Sequence, residues 1–412
     1  MGTSGSRGVR VLGVALLLAG LAGCSSAASG PAHGRASRAG SGPASGPASG
    51  AAAPSAAACE VPLPASWRSA LAAGELSAPA GQRAVLTEVG PAAAWTAVQL
   101  SDERRRRAAL VRGDDPPRTL LTLADPVEHQ LLSADFDGRR WAAFAVLEGR
   151  TLDSPWSLYV WDAATGTSRR LARSTLPGPL PQPVVRGGWV YWAQGAGGGR
   201  ATVHAIRAAA GGTPLSLHSG VLDTPFAAGD LLVWREADTT GRATRLAAVS
   251  LVTRRPAELP SQIAAVRDIR SVVSDGSAWA WIAGEERQRL MVWRTGQPRP
   301  TEPLAAARSG PVSGTASASE TASASETASA TEGIDQPRIS GALITWRTPE
   351  AAYALDLRSS SYTRITPRYG YAQARDGALA VAFSEGDAKA AGSRSVIQVV
   401  RTDRLPGLPA CG

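Results

Sequence analysis

Lysine is nearly missing: of 43 basic residues only Lys389 is a lysine, so the net charge of +9 rests almost wholly on arginine. Histidine is scarce too, and His33, His129, His204 and His218 stand alone in the chain. With no H-x-x-x-H pair and no C-x-x-C among three cysteines, the sequence argues against a zinc centre. No G-x-S-x-G occurs, which removes the strand-to-helix elbow of a serine hydrolase. Charged residues amount to 19%, too few for a coiled coil. The basic residues are not interleaved with aromatics in any nucleic-acid-binding motif, so nucleic acid is not an expected partner, and no pattern points to a cofactor. Nor is there a long apolar run: Val11 to Leu21 is too short to span a bilayer comfortably.

What is abundant is turn-forming. The 412 residues hold 44 Gly and 29 Pro at 44% hydrophobic content, which suits a turn-rich all-β body. Twelve Trp carry too much apolar surface for a chain that is disordered throughout.

Residues 1–23 read as an export signal, with Arg7 and Arg10 before the apolar run and small residues after it. Removing them lowers the charge from +9 to +7. The run ends in Leu21-Ala22-Gly23-Cys24, which resembles the lipobox of bacterial lipoproteins. The resemblance implies that the Cys24 thiol receives diacylglycerol and that the signal is cut before it. Two acyl chains on one residue, at roughly 0.8 kcal/mol per buried methylene, suffice for stable anchoring. The expected location is the outer face of the cytoplasmic membrane, with the lipid anchor as the membrane contact. Residues 24–58, with SGPASGPASG at 41–50, cannot bury a core and read as a flexible stalk.

With Cys24 lipidated, Cys59 and Cys411 remain, near the two ends of the body at 59–412. An even pair outside the cytoplasm reads as a disulfide, and ends so far apart meet only if the fold brings them together, as a closed ring does. Loop entropy gives a ceiling of roughly 5–6 kcal/mol for such a closure.

Internal similarity is the strongest signal in the body. Alternating segments, most of them following a Gly-bearing turn, recur around Val98, Phe144, Trp192, Trp234, Trp281, Trp346 and Phe383, at spacings of 46, 48, 42, 47, 65 and 37. Each is followed by a second apolar alternation, as in SLYVWDAATGTSRRLA (157–172) and SVIQVVRTDRLPGL (395–408). Two hairpins per repeat make a four-stranded blade, and blades stacked around an axis bury each other's faces. The expected fold is therefore all-β, a single β-propeller of seven four-stranded blades, with six and eight open as alternative counts. The 65-residue gap reflects a low-complexity insertion at 306–333, where TASASE occurs twice and TASATE once. It reads as an unmodified solvated loop, with a glycosylated stalk as the alternative.

SADFDGRRWAAFAV (133–146), VSDGSAWAWIAG (273–284) and ARDGALAVAF (374–383) resemble the Ser-Pro-Asp-Gly-Arg turn and strand of TolB-like and WD40-like propeller repeats. The proline of that turn is absent here. The resemblance extends over 83–408 and implies a binding platform rather than a given activity.

Four candidate features remain. The run Arg104, Arg105, Arg106 and Arg107 is expected in a loop of blade one, where anionic head groups or acidic wall polymer are a further reading. Asp135 and Asp137 read as parts of a tight turn, two carboxylates being short of the set usual for calcium. Trp residues at repeat positions read as inter-blade core, while Trp189, Tyr191 and Trp192 are crowded enough that one ring must turn away. Asp223, Asp268 and Asp335, just before the first strands of their blades, are the only carboxylates nameable for an enzyme. The expected function is a lipid-anchored platform for an envelope protein or cell-wall polymer. A propeller glycosidase or lyase and a regulator of a membrane sensor or transporter are the alternatives. If Cys59 and Cys411 are bridged and Cys24 acylated, the unreduced protein takes up no thiol-alkylating reagent and runs as a monomer without reductant. Labelling before reduction would contradict the pairing.

Overall fold

In the computed structural model, strands of alternating apolar residues fold into consecutive antiparallel meanders. The structure describes residues 57–411 apart from 103, 114, 126, 210, 239–243, 268, 285–287, 305–329, 331–332, 368 and 386–393. The signal, Cys24, the stalk to residue 56 and nearly all of the 306–333 tract lie outside the described residues.

Blade one comprises Arg83–Val89, Thr96–Ser101, Arg106–Val111 and Arg118–Thr122. Blade two comprises His129–Phe136, Trp141–Glu148, Trp156–Asp162 and Thr167–Ser174. Blade three comprises Val184–Arg186, Trp189–Gly197, Arg200–Arg207 and Leu215–Leu222. Blade four has Phe226–Ala228, Leu231–Ala237 and Thr244–Ser250, and blade five Ile269–Ser274, Ala278–Ala283 and Arg289–Arg294. Blade six has Asp335–Ser340, Leu343–Arg347, Ala352–Asp356 and Ser361–Arg364, and blade seven Tyr371–Arg375, Ala378–Glu385 and Arg394–Arg401. The seven repeat positions read from sequence all fall on the second strand of a blade.

The first strands are innermost: they touch between blades one and two, two and three, four and five, five and six, six and seven, and seven and one. Those of blades six and seven pair in parallel, Ile339 against Arg375. The first hairpin turns of the seven blades and the ends of their third strands therefore share one end of the ring, and the described second turns share the other. Seven apolar clusters fill the seams, including one between blades seven and one built on Leu86, Val98, Ala380 and Ile397. Seven seams among seven blades make a closed β-propeller. Of the 12 Trp, only Trp141 and Trp189 escape full burial.

Three departures from the four-stranded repeat have physical causes. In blades four and five the outer strand shrinks to single bridges, Val249 with Pro256 and Val292 with Thr301, because Pro256, Pro298 and Pro300 withdraw the N–H groups a ladder needs. Blade seven takes no outer strand from residues 402–408, which form a 3₁₀ turn at Thr402–Arg404 and then leave the blade. Its outer edge is completed instead from the other end of the chain. Glu75 bridges Gln398, Leu76 N–H donates to the Ile397 carbonyl at 2.8 Å, and Val399 N–H donates to the Gly74 carbonyl at 2.8 Å.

The helix Ala65–Ala73, absent from the sequence reading, leads into this clasp. Its buried Trp67 and Leu71 pack with Leu343, Ile365, Leu379 and Leu405, and Trp67 Nε1 donates to the Pro406 carbonyl at 2.8 Å. Before it, Cys59–Glu60 pairs in parallel with the outer strand of blade six. Cys59 and Cys411 lie there at disulfide distance, Cα to Cα 5.8 Å. The cysteines thus tie the two terminal segments together on blade six, while the ring itself is closed on blade seven by residues 74–76.

Gly74 has no room for a side chain, since a Cβ there would lie 2.0 Å from the Val399 carbonyl oxygen. Gly74→Val is expected to lower the unfolding free energy by about 2–3 kcal/mol in urea. Gly211→Val, where a Cβ meets nothing within 4 Å, should change it by less than about 0.5 kcal/mol. Equal values for the two would contradict the clasp.

Candidate functional site

Innermost strands present their last residues to the axis beside the first hairpin turns, and four charged side chains meet there. Asp135 comes from blade two, Arg375 from blade seven, Glu88 from blade one and Arg186 from blade three. Arg375 Nη2 lies 2.8 Å from Asp135 Oδ1, and its Nη1 lies 3.6 Å from Glu88 Oε1. Arg186 Nη1 lies 3.4 Å from Asp135 Oδ2. Asp135 also accepts the N–H groups of Phe136 at 3.0 Å and Val185 at 2.7 Å. Arg375 further lies 3.7 Å from Asp376, with its Cζ 5.9 Å from the Trp95 ring centroid. Gln373 joins blade seven to blade one, accepting from Val89 N–H at 3.1 Å and donating to the Thr87 carbonyl at 2.9 Å.

Burial and charge pull against each other in this cluster. Burial pushes the Glu88 carboxyl above its ordinary value, despite the opposing pull of Arg375 and Arg338. Burial alone would weaken the charge on Arg375, but Asp135 and Glu88 outweigh it and hold the guanidinium firmly protonated. Tyr371 is raised by burial as well.

The two aspartates of the 133–146 segment part company. Asp137 Oδ1 accepts the N–H groups of Arg139, Arg140 and Trp141 at 2.8, 2.8 and 3.0 Å, around Gly138 at φ +78°. This is the tight turn expected from the sequence, while Asp135 turns to the axis instead. The arginine run divides as well. Arg104 and Arg105 are exposed in the turn capped by Asp102, but Arg106 and Arg107 open the third strand of blade one, so only half of the run is loop. Arg107 is used inside the blade, bonding Thr119 and Gln82 at 3.1 and 3.0 Å. That turn lies at the opposite end of the ring from the axial cluster.

Of the carboxylates named for an enzyme, Asp223 and Asp335 lie outside the cluster. Asp223 is exposed and paired with Arg235, Asp335 is exposed and accepts the Gln336 N–H, and Asp268 lies outside the described residues. Asp223 and Asp335 sit at strand entries, whereas Asp135 and Glu88 sit near strand exits. A signal for the latter was present: Glu88, Asp135 and Arg375 each break an apolar or small-residue alternation just before a turn. Among the crowded aromatics, Tyr191 is buried with its hydroxyl donating to the Leu251 carbonyl at 2.7 Å, and Trp192 stacks on His204 at 5.2 Å. Burial holds the His204 imidazole below its usual range. The ring that turns away is Trp189.

No family model matches this chain, and no curated protein matches it. Among solved structures, it is similar to a protein from a study of two prolyl endopeptidases, at 12% identity and TM-score 0.47 over 74% of this chain and 45% of that one. It is also similar to the β-propeller domain of the Trilobed protease from Pyrococcus furiosus, at 9% identity and TM-score 0.46 over 73% and 91%. A third is the acylaminoacyl peptidase of Pyrococcus horikoshii, at 9% identity and TM-score 0.44 over 72% and 50%. The chain thus spans about half the length of the first and third. The propeller assignment stands on the strand pairing and seams of the chain itself.

Asp135→Asn is expected to cost about 3–5 kcal/mol in urea denaturation, because it strips Arg375 of its closest counter-charge. The Glu88 carboxyl has a raised value in the folded chain, so its contribution is fully present below its ordinary 4.5 and is lost as pH rises through the folded value. Glu88→Gln should therefore flatten the decline of stability with rising pH in that window. An unchanged slope would contradict the burial of Glu88.

Proposed function

We propose that this chain is an exported lipoprotein, held by diacylglycerol on Cys24 at the outer face of the cytoplasmic membrane. Its propeller is a binding platform for an envelope protein or cell-wall polymer. The observation that carries the platform reading is the engagement of Asp135, which accepts from two backbone amides and two guanidiniums drawn from three blades. A glycosidase needs two carboxyl groups free to exchange protons or attack a sugar, about 5–9.5 Å apart. Asp135 is spent on holding blades together, and Arg375 lies between it and Glu88. The end faces of such a ring carry loops that vary without disturbing the seams, which suits recognition. The anchor rests on Leu21-Ala22-Gly23-Cys24, the apolar run before it and the stalk behind it.

The enzyme reading keeps one supporting feature, the raised carboxyl of Glu88, since a general acid needs such a shift. It requires that Glu88→Gln abolish turnover of an envelope glycan. The peptidase activity of the solved proteins is theirs; nothing in this sequence supplies the G-x-S-x-G that such chemistry would need.

In-cell crosslinking followed by mass spectrometry tests the proposal. The wild-type chain should fractionate with membranes and recover one reproducible envelope protein or wall polymer, and Cys24→Ser should lose both the membrane fraction and the crosslink. A Cys24→Ser protein that stays with membranes would contradict the anchor. An anchored wild type that recovers no partner would contradict the platform.

A further inference from the structure

Of the two Trp that are not fully buried, Trp141 carries Arg140 with Cζ 4.5 Å from its ring centroid, and that guanidinium is neutralised by a fork to Asp162 at 2.8 and 2.7 Å. Trp189 differs. Two guanidiniums meet its indole, Arg207 with Cζ at 4.9 Å and Arg254 with Cζ at 4.4 Å. Arg207 is its cross-strand partner in blade three, and Arg254 reaches over from the outer turn of blade four. Neither is ion-paired with a carboxylate among the described residues, unlike Arg140 at Trp141 and Arg375 near Trp95, the other two guanidiniums that lie over an indole. Arg254 Nη1 donates to the Val252 carbonyl at 3.0 Å, and the hydroxyl of Tyr191 lies against the same group. The Asp230 carbonyl accepts from Leu251 N–H, but no ion pair joins its carboxylate to either arginine. At the adjoining turn, no atom beyond the flanking residues lies within 4 Å of a hypothetical Cβ on Gly187 or Gly188. Arg207 is exposed and Trp189 half-buried, so the group is reachable from solvent.

Two like charges held at one ring repel each other, and the indole's π face offsets only part of that repulsion. An anion placed against both completes it. Two guanidinium forks offer more N–H donors than a carboxylate has lone pairs directed at them, whereas a tetrahedral phosphate presents three or four acceptor oxygens and up to two charges.

We propose that Arg207, Trp189 and Arg254 form a binding site for a phosphate group at the seam of blades three and four. It lies at the end of the ring opposite Arg104 and Arg105, and it stands independently of the lipid anchor and of the axial cluster. The source of the phosphate is either a soluble phosphorylated ligand or a lipid head group, and the test separates the two.

The probes are sodium triphosphate, followed by titration calorimetry, and phosphatidylglycerol vesicles, followed by sedimentation. The protein is the full chain carrying Cys24→Ser, which keeps acylation out of both measurements. Triphosphate should bind, and Arg207→Gln and Arg254→Gln should each weaken it about tenfold, the loss of one charge-assisted contact. Arg104→Ser with Arg105→Ser removes the same charge as a double variant carrying both Arg207→Gln and Arg254→Gln, and should change binding less than about twofold. The single variants keep the test valid if the double variant unfolds. Binding to triphosphate alone supports a soluble ligand; vesicle binding lost in the Gln variants supports a head group. Absence of both, equal loss in the Arg104/Arg105 variant, or citrate binding as tightly as triphosphate would overturn the assignment.

Discussion

The structure depends on three residues pairing across the ends of the chain. A blade is apolar on both faces, so an open row of blades would leave one face at each end in water. Residues 74–76 prevent this by adding an outer strand to blade seven and delivering the next strand, Arg83–Val89, to the start of blade one. The closure is long-range in sequence and short in hydrogen bonds, and it is therefore reinforced. The helix Ala65–Ala73 buries Trp67 and Leu71 beneath it, and Cys59 with Cys411 ties the segment before the helix to the end of the chain. Restraining chain ends acts chiefly on the unfolded ensemble, where it removes the freedom of the longest loop.

The charges at the axis are a consequence of that closure. Arg375 reaches past blade one to Asp135 because the last blade sits beside the first. An opened ring would part Arg375 from Asp135 and Glu88, leaving Asp135 with Arg186 and its two backbone amides, so these cross-blade pairings are lost on opening. The axial cluster and the clasp therefore reinforce one another: the clasp sets the geometry that lets the charges pair, and the pairing penalises opening.

Much of this was legible in the sequence and some was not. The repeat pointed to seven blades with six and eight left open, because Trp192, Trp234 and Trp346 mark second strands and must face a seam while the first and last repeats are weakly marked. The turn around Asp137 and Gly138 was legible because an aspartate followed by glycine has a local use for both residues. The missing outer strands of blades four and five were marked by Pro256, Pro298 and Pro300, which the period alone overrides. The clasp was illegible: Gly74, Glu75 and Leu76 carry no alternation of their own, and only the partner strand at the far end of the chain makes them a strand. The axial pairing was hidden for the same reason, since Asp135 and Arg375 are distant in sequence and each has a plausible local role next to its turn. Arg207 and Arg254 meet Trp189 across a seam, which no spacing reveals.

Native-state hydrogen exchange at the amides of Leu76 and Val399 tests ring closure most directly. If the clasp closes the ring, both exchange only through global unfolding, with protection equal to that of the seam strands. Exchange at the rate of a frayed terminus, with the blade cores still protected, would contradict it.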